Sequence, residues 1–249
     1  DDNGCETSDT AYITEPDSLN LTTIVDNWNS CFGMTNGMIS AYATGGTLPY
    51  QYSIDGTVFQ LSNFFTGLSA GVYDITVTDN NACIESQSNI TLAEPTQLIA
   101  IIATTDASCF GDDGTATVTV TGGTPPYAYQ WNSGGMGGPT ASGPVGIYQC
   151  NVMDANGCQV AATDTINEPT PLTAAISYTP IYCAGDISTA TVAASGGTLP
   201  YSYLWNDALL QTTQHATNLS AGIYTCTVVD ANNCQEIVSV TMTEPYPIN

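Results

Sequence analysis

Apolar and polar residues alternate along most of this chain with a period of two, and no stretch shows the three-to-four spacing of a helix. Thr115-Ala116-Thr117-Val118-Thr119-Val120 is the clearest such run, with counterparts over 37–44 and 189–195. Side chains two apart in a strand share a face, so these runs predict half-buried strands. Opening strands are predicted at 19–25, 98–104 and 172–178. A third kind of strand lies in Gly122-Gly123-Thr124-Pro125-Pro126-Tyr127-Ala128-Tyr129-Gln130-Trp131, whose grammar returns at 45–54 and 196–205. A Gly-Gly turn and a proline that blocks ladder pairing precede Tyr-x-Tyr-x-Trp, with Ile54 in the last slot of the first copy. Tyr127, Tyr129 and Trp131 form one aromatic stripe, which predicts a strand entering a core.

The same order of blocks recurs downstream. Gly71 to Cys83 is echoed by Gly146 to Cys158 and Gly222 to Cys234, and Glu-Pro follows at Glu94-Pro95, Glu168-Pro169 and Glu244-Pro245. The Gly-Gly turns start at 45, 122 and 196, so the steps are 122 − 45 = 77 and 196 − 122 = 74. That period is too long for a solenoid coil and suits a small β domain. The chain therefore divides into repeats over 17–95, 96–169 and 170–245. Residues 1–16 match the tail of a preceding repeat, through Asp2-Asn3-Gly4-Cys5 and Glu15-Pro16, and 246–249 match the start of a following one. About seven short strands per repeat, with turns every 8 to 12 residues and a Trp-bearing strand near cysteine, predict an all-β chain of tandem immunoglobulin-like β-sandwich beads.

Composition narrows the function. The chain has no Lys or Arg, 23 acidic residues, one His and a formal net charge of −23. Without cations it cannot neutralise phosphates, which removes nucleic acid as a partner. It also cannot clamp nucleotides or carboxylates through Arg, and a chain without lysine cannot form Lys-Asn isopeptide crosslinks. No apolar run approaches the ~20 residues of a membrane helix, so no membrane insertion is expected of this segment.

The cysteines recur in register. Cys31, Cys109 and Cys183 open a Cys-x-Gly turn, and Cys83, Cys158 and Cys234 close Asn-x-Cys. The separations within a repeat, 83 − 31 = 52, 158 − 109 = 49 and 234 − 183 = 51, move together. They predict the disulfides Cys31–Cys83, Cys109–Cys158 and Cys183–Cys234, each stapling one bead by about 4 kcal/mol in the chain-entropy model. Such bridges imply an oxidising, extracellular setting. Cys5 is expected to pair within its own truncated repeat. Cys150 and Cys226 share the register of Ile75 and are expected to be free thiols in the core, with pairing to Cys109 or Cys183 as the alternative.

Candidate chemistry is sparse. His215 is the lone base near neutrality and has no counterpart in the other repeats, so no enzyme activity and no catalytic residue is expected. Asp79, Asp154 and Asp230 recur in turns, and Asp112 with Asp113 adds a local cluster; these hard oxygen donors suit calcium, but side-chain capping explains them without a metal. No cofactor is therefore expected, with calcium as the alternative. The segments 55–66, 132–142 and 206–217 vary while the frame repeats, which is where recognition would be placed.

Gly-Gly-Thr-x-Pro-Tyr-x-Tyr-x-Trp, then Gly-x-Tyr-x-x-x-Val-x-Asp-x-Asn-x-Cys, then Glu-Pro resembles the SprB-type repeat of large adhesins on gliding bacteria. The resemblance spans all three repeats and the leading fragment, although the first repeat departs with Ile54 for Trp and Ala82 for Gly. It implies a cell-surface protein delivered by type IX secretion, acting in attachment and gliding. Related repeats also occur in adhesins and filaments with no part in gliding. The expectation is thus a disulfide-stapled stalk whose partners are neighbouring repeats and a surface polysaccharide or solid substratum; a calcium-dependent carbohydrate-binding module using the variable segments is the alternative. Candidate glycosylation positions are Asn20, Asn89 and Asn218 in Asn-x-Ser/Thr, and Thr10, Ser18 and Thr165 in a motif resembling the O-glycosylation signal of that lineage.

Overall fold

The computed structural model describes residues 6–132 and 136–246, and among these all regular structure is β-strand. In the first repeat the strands are β1 (Asn20–Asn27), β2 (Gly37–Thr44), β3 (Gln51–Ser53), β4 (Phe64–Leu68), β5 (Gly71–Thr78) and β6 (Ile84–Leu92). They form two antiparallel sheets ordered β1-β2-β4 and β3-β5-β6. Ile39 and Ala41 of β2 and Phe65 of β4 meet Tyr52, Ile75, Val77 and Ile90 from the other sheet. Their neighbours Met38, Tyr42, Phe64, Thr66 and Thr76 are half-buried or exposed, so the period of two becomes the inside and outside of a sandwich; Ser40, fully buried between Ile39 and Ala41, is the exception.

The second repeat comprises β7 (Ile99–Thr105), β8 (Gly114–Thr121), β9 (Ala128–Trp131), β10 (Met136–Gly137), β11 (Thr140–Gly143), β12 (Gly146–Met153) and β13 (Gln159–Ile166). Its sheets are ordered β11-β8-β7 and β10-β9-β12-β13. The third comprises β14 (Thr173–Tyr178), β15 (Ser188–Ser195), β16 (Ser202–Trp205), β17 (His215–Leu219), β18 (Gly222–Val229) and β19 (Gln235–Met242), ordered β14-β15-β17 and β16-β18-β19. Each is an immunoglobulin-like sandwich in which the first, second and fifth frame strands face the third, sixth and seventh. The fourth frame strand is replaced by the variable segment. Hence six strands are seen in the outer two repeats and seven in the middle one, which adds the short β10.

Trp205 is fully buried in the third core, where Val192, Ala216, Leu219, Cys226, Val228 and Met242 surround it. Its Nε1–H donates to the Thr213 carbonyl at 2.9 Å, and that of Trp131 to Gly138 at 3.1 Å, so each variable segment satisfies the indole of its own core. The tyrosine of the Gly-Gly block also has a fixed task. Tyr127 donates its hydroxyl to the Gly122 carbonyl at 2.7 Å, and Tyr50 and Tyr201 do the same to Gly45 and Gly196.

The chain divides into two compact units. One holds the described residues through Ile99 together with Thr121–Tyr127 and Met153–Gln159; the other holds Ala100–Val120, Ala128–Val152 and the residues from Val160 onward. The Gly-Gly and Asp154 turns of the second repeat therefore cluster with the first repeat, across the Glu-Pro boundary.

Candidate functional site

The recurrent turns gather at the two poles of each sandwich. At the N-terminal pole the Gly-Gly turn closes on the segment that enters the repeat. A Cβ on Gly45 would stand 2.0 Å from the Ser18 carbonyl oxygen, one on Gly122 1.9 Å from that of Gln97, and one on Gly196 2.0 Å from that of Pro171. Only glycine fits. The Asp-x-Asn-x-Cys turn lies beside it, held by its aspartate. Asp154 accepts from the backbone N–H of Thr124 (2.8 Å), Asn156 (2.9 Å) and Cys158 (2.9 Å). Asp79 does so from Thr47, Asn81 and Cys83, and Asp230 from Thr198, Asn232 and Cys234. Burial raises the pKa of Asp79 and Asp230, but the three N–H donors outweigh it and hold both carboxyls below the usual range.

At the C-terminal pole the Cys-x-Gly turn is tied to the Glu-Pro motif. Glu94 accepts from the Gly33 N–H at 2.7 Å, Glu168 from Gly111 at 2.8 Å and Glu244 from Gly185 at 2.7 Å. Glu-Pro thus ends the repeat and shapes the loop that carries its first cysteine.

Two poles meet at each junction, and the bridges run between repeats. Cys31 is bonded to Cys158 and Cys109 to Cys234, with Cα separations of 5.7 and 5.6 Å. Beside the first bridge, Asn156 Nδ2 donates to the Ser30 carbonyl at 2.9 Å and to Thr124 Oγ1 at 3.0 Å. Beside the second, Asn232 Nδ2 donates to the Ser108 carbonyl at 2.9 Å and to Thr198 Oγ1 at 3.2 Å. A shallow pocket lined by Phe110, Asp112, Pro171, Leu172, Asn233 and Gln235 flanks the second bridge.

The pairing expected from sequence, Cys31–Cys83, Cys109–Cys158 and Cys183–Cys234, is therefore overturned. Cys83 lies at the Gly-Gly pole, where β1 begins, and Cys31 lies past the other end of β1. Eight residues of strand at ~3.3 Å each separate those poles by roughly 26 Å, far beyond the ~7 Å that a disulfide spans. The constant spacing was real but ambiguous. Pairing in register between adjacent repeats also gives nearly constant separations, here 127 and 125 residues. Among the described residues Cys83 and Cys183 are unpaired and exposed. Cys150 and Cys226 are free and fully buried at the place of Ile75, and burial pushes both thiols up. Cys5 lies outside the described residues.

The remaining candidates stay on the surface. Asn20, Asn89, Asn218, Thr10, Ser18 and Thr165 are all exposed. His215 opens β17, exposed, with Nδ1 at 2.9 Å from Thr191 Oγ1. Asp112 and Asp113 are exposed, whereas the recurrent aspartates spend their oxygens on backbone donors; no group of His, Cys, Asp and Glu among the described residues is arranged to hold a metal. Sequence reasoning missed Asp207, buried in the third variable segment. Its oxygens accept from the N–H of Leu209 and Gln211 and from Gln211 Nε2, which hold it below the usual range against the cost of burial. It also missed the two asparagines that reach across the junctions, although their recurrence before the second cysteine was a usable signal.

No curated protein matches the sequence. Solved structures similar to this chain include the N-terminal eight immunoglobulin domains of Down syndrome cell adhesion molecule (16% identity, 90% of this chain and 34% of that one, TM-score 0.37). They also include a C-terminal intimin fragment in complex with the intimin-binding domain of its translocated receptor (17%, 60% and 64%, 0.36) and mouse nectin-like molecule 4 (12%, 93% and 96%, 0.33). The chain thus spans about a third of the first of these and under two thirds of the second. The family model of the SprB repeat matches three times, at residues 22–59, 101–136 and 175–209, once in each sandwich. Three times over, the chain is similar to the SprB repeat.

Proposed function

We propose that this chain is the extracellular repeat region of a cell-surface adhesin, in which repeats 17–95, 96–169 and 170–245 act as successive links of a stalk. One observation supports the reading above the others: the SprB repeat recurs three times, and its cysteines join each repeat to the next. Bridges that cross junctions serve a stalk, because they resist separation of links at the point where load passes. The setting is oxidising and outside the cell, where such bridges persist. Delivery by type IX secretion and a part in gliding belong to the same proposal, through the resemblance to gliding adhesins. The stalk would meet a surface polysaccharide or solid substratum, weakly per repeat and strengthened by number. The reading assigns no reaction and requires no cofactor.

The test is display on intact cells. Antibody against the repeats should label unpermeabilised cells, and external protease should remove the label; signal only after permeabilisation would overturn the proposal. For the gliding part, in-frame removal of the repeats should leave cells that attach and spread poorly on agar. Unchanged motility would separate the stalk from gliding.

A further inference from the structure

Asp112, Asn233 and Gln235 share the shallow pocket beside the second bridge, and the fold does not use their side chains. All three are exposed, and among the described residues none of these side chains makes a hydrogen bond. Their neighbours differ: Asp230 gives its oxygens to three N–H groups, and Glu168 accepts from Gly111. A larger cleft on the first repeat is polar too, but its groups serve one another. There Asp55 accepts from the Thr57 and Val58 N–H, Asp74 from the Asn89 N–H, and Thr76 Oγ1 pairs with Ser86 Oγ.

The pocket beside the bridge is preformed. Its volume is about 380 Å³, at the small end of the range for ligand sites. Phe110 and Asp112 line it next to Cys109, Asn233 and Gln235 line it on either side of Cys234, and Pro171 and Leu172 complete it. The Cys109–Cys234 bond ties the first two sides together. Glu168 on Gly111 and Asp230 on Cys234 hold the turn at each side, so little order remains to be lost when a ligand enters.

This lining selects among ligands. A pyranose ring offers C–H faces that suit an aromatic ring with apolar neighbours, and Phe110 is 55% exposed. Its rim of hydroxyls donates and accepts; the Asp112 carboxylate can accept, while the two amides do both. An anionic ligand meets a net charge of −23 and no Lys or Arg anywhere in the chain. No group of His, Cys, Asp and Glu among the described residues is arranged to hold a metal. We infer that the pocket is a binding site for a neutral hexopyranose unit of a glycan, with Phe110 as its platform and Asp112, Asn233 and Gln235 as its hydroxyl partners. The first junction is an internal control. In register there stand Phe32, Leu98 and Gln159, but Met34 replaces Asp112 and Gly157 replaces Asn233. It keeps the ring and lacks the carboxylate and one amide, so the site belongs to the second junction.

The inference deepens the proposed contact with a surface polysaccharide and rests on that reading for where the glycan is met. The two fail separately: absence of sugar binding in solution would leave display on the cell intact, and a chain found only inside the cell would leave the sugar site intact.

The experiment titrates the oxidised full chain, labelled with nitrogen-15 and with accessible thiols alkylated, with cellohexaose, laminarihexaose and mannohexaose. At least one should bind with a Kd of about 1 mM, as suits one sugar ring in a shallow site. It should shift the amide resonances of Asp112, Asn233 and Gln235 and leave those of Phe32 and Gln159 still. Phe110→Ala should weaken binding about tenfold and Asp112→Asn about fivefold. Both variants should keep the circular dichroism spectrum and the Cys109–Cys234 bond. Hexagalacturonate should not bind, and the affinity for the neutral sugar should be equal at about 0.01 M and 0.15 M salt. Failure of all three neutral hexamers to shift the pocket would overturn the inference. So would equal shifts at Phe32 and Gln159, or binding confined to a glucosamine hexamer and abolished by salt.

Discussion

Ala82 shows how little freedom the recurrent turn leaves at a single position. The third residue after each turn aspartate takes a left-handed backbone, with φ of 63° at Ala82, 83° at Gly157 and 68° at Asn233. Glycine and asparagine adopt that conformation readily, while alanine pays for its Cβ by about 1–2 kcal/mol. Ala82→Gly should therefore stabilise the first repeat by about 1 kcal/mol, seen as a higher denaturation midpoint at unchanged slope. The aspartates give a second prediction. Asp79 and Asp230 have folded-state pKa values below the ~3.9 of an unfolded aspartate, so their contribution is complete above that pH and is lost as pH falls through the folded value. The amide resonances of Asn81, Cys83, Asn232 and Cys234 should hold steady from pH 7 to about 4 and shift only below it. A midpoint above 4 would mean that the carboxylates are not held by the turn.

At the scale of the element, the strands and their inward faces were legible in the sequence because alternation and sandwich share a period. Gly37–Thr44 and its counterparts fold as expected, and the Trp of the aromatic strand enters the core. Trp205→Ala should cost the third repeat about 3–5 kcal/mol, as for other large core truncations. Because Asp230 and Cys234 belong to that repeat, the same variant should also slow closure of Cys109–Cys234 on reoxidation, while Cys31–Cys158 closes at its usual rate; mass mapping of trapped disulfides distinguishes them. The poles were not legible to the same degree. Counting from Cys31 to Cys83 says nothing about which end of a strand each one occupies, and that is set by the direction of β1 and β5. The hydrogen bonds from the Thr47 N–H to Asp79 and from the Gly33 N–H to Glu94 resolve it, and both need three-dimensional contact between motifs about 30 and 60 residues apart. Glu-Pro had been legible as a stiff boundary through its proline; the glutamate's task was hidden until its carboxylate met Gly33.

For the molecule as a whole, stability and connection are assigned to different interactions. Each sandwich relies on its own core, and the covalent bridges tie one sandwich to the turns of the next. Reduction with a phosphine should therefore leave strand content and tryptophan fluorescence of the repeats largely in place, while cleavage within the junction segments 93–97 and 167–171 by a broad-specificity protease such as proteinase K accelerates. Global unfolding on reduction would return the bridges to the role of internal staples.

The crossing bridges also limit how far the chain pays out when it is pulled from its ends. With every strand torn loose, tension would still run through sulfur: 30 residues to Cys31, across to Cys158, back over 49 residues to Cys109, across to Cys234 and out through the last 15. At ~3.5 Å per extended residue that route is about 330 Å long, against about 870 Å for the unbridged backbone. Most of the polypeptide then hangs as slack outside the taut line, free to refold while the tether still holds.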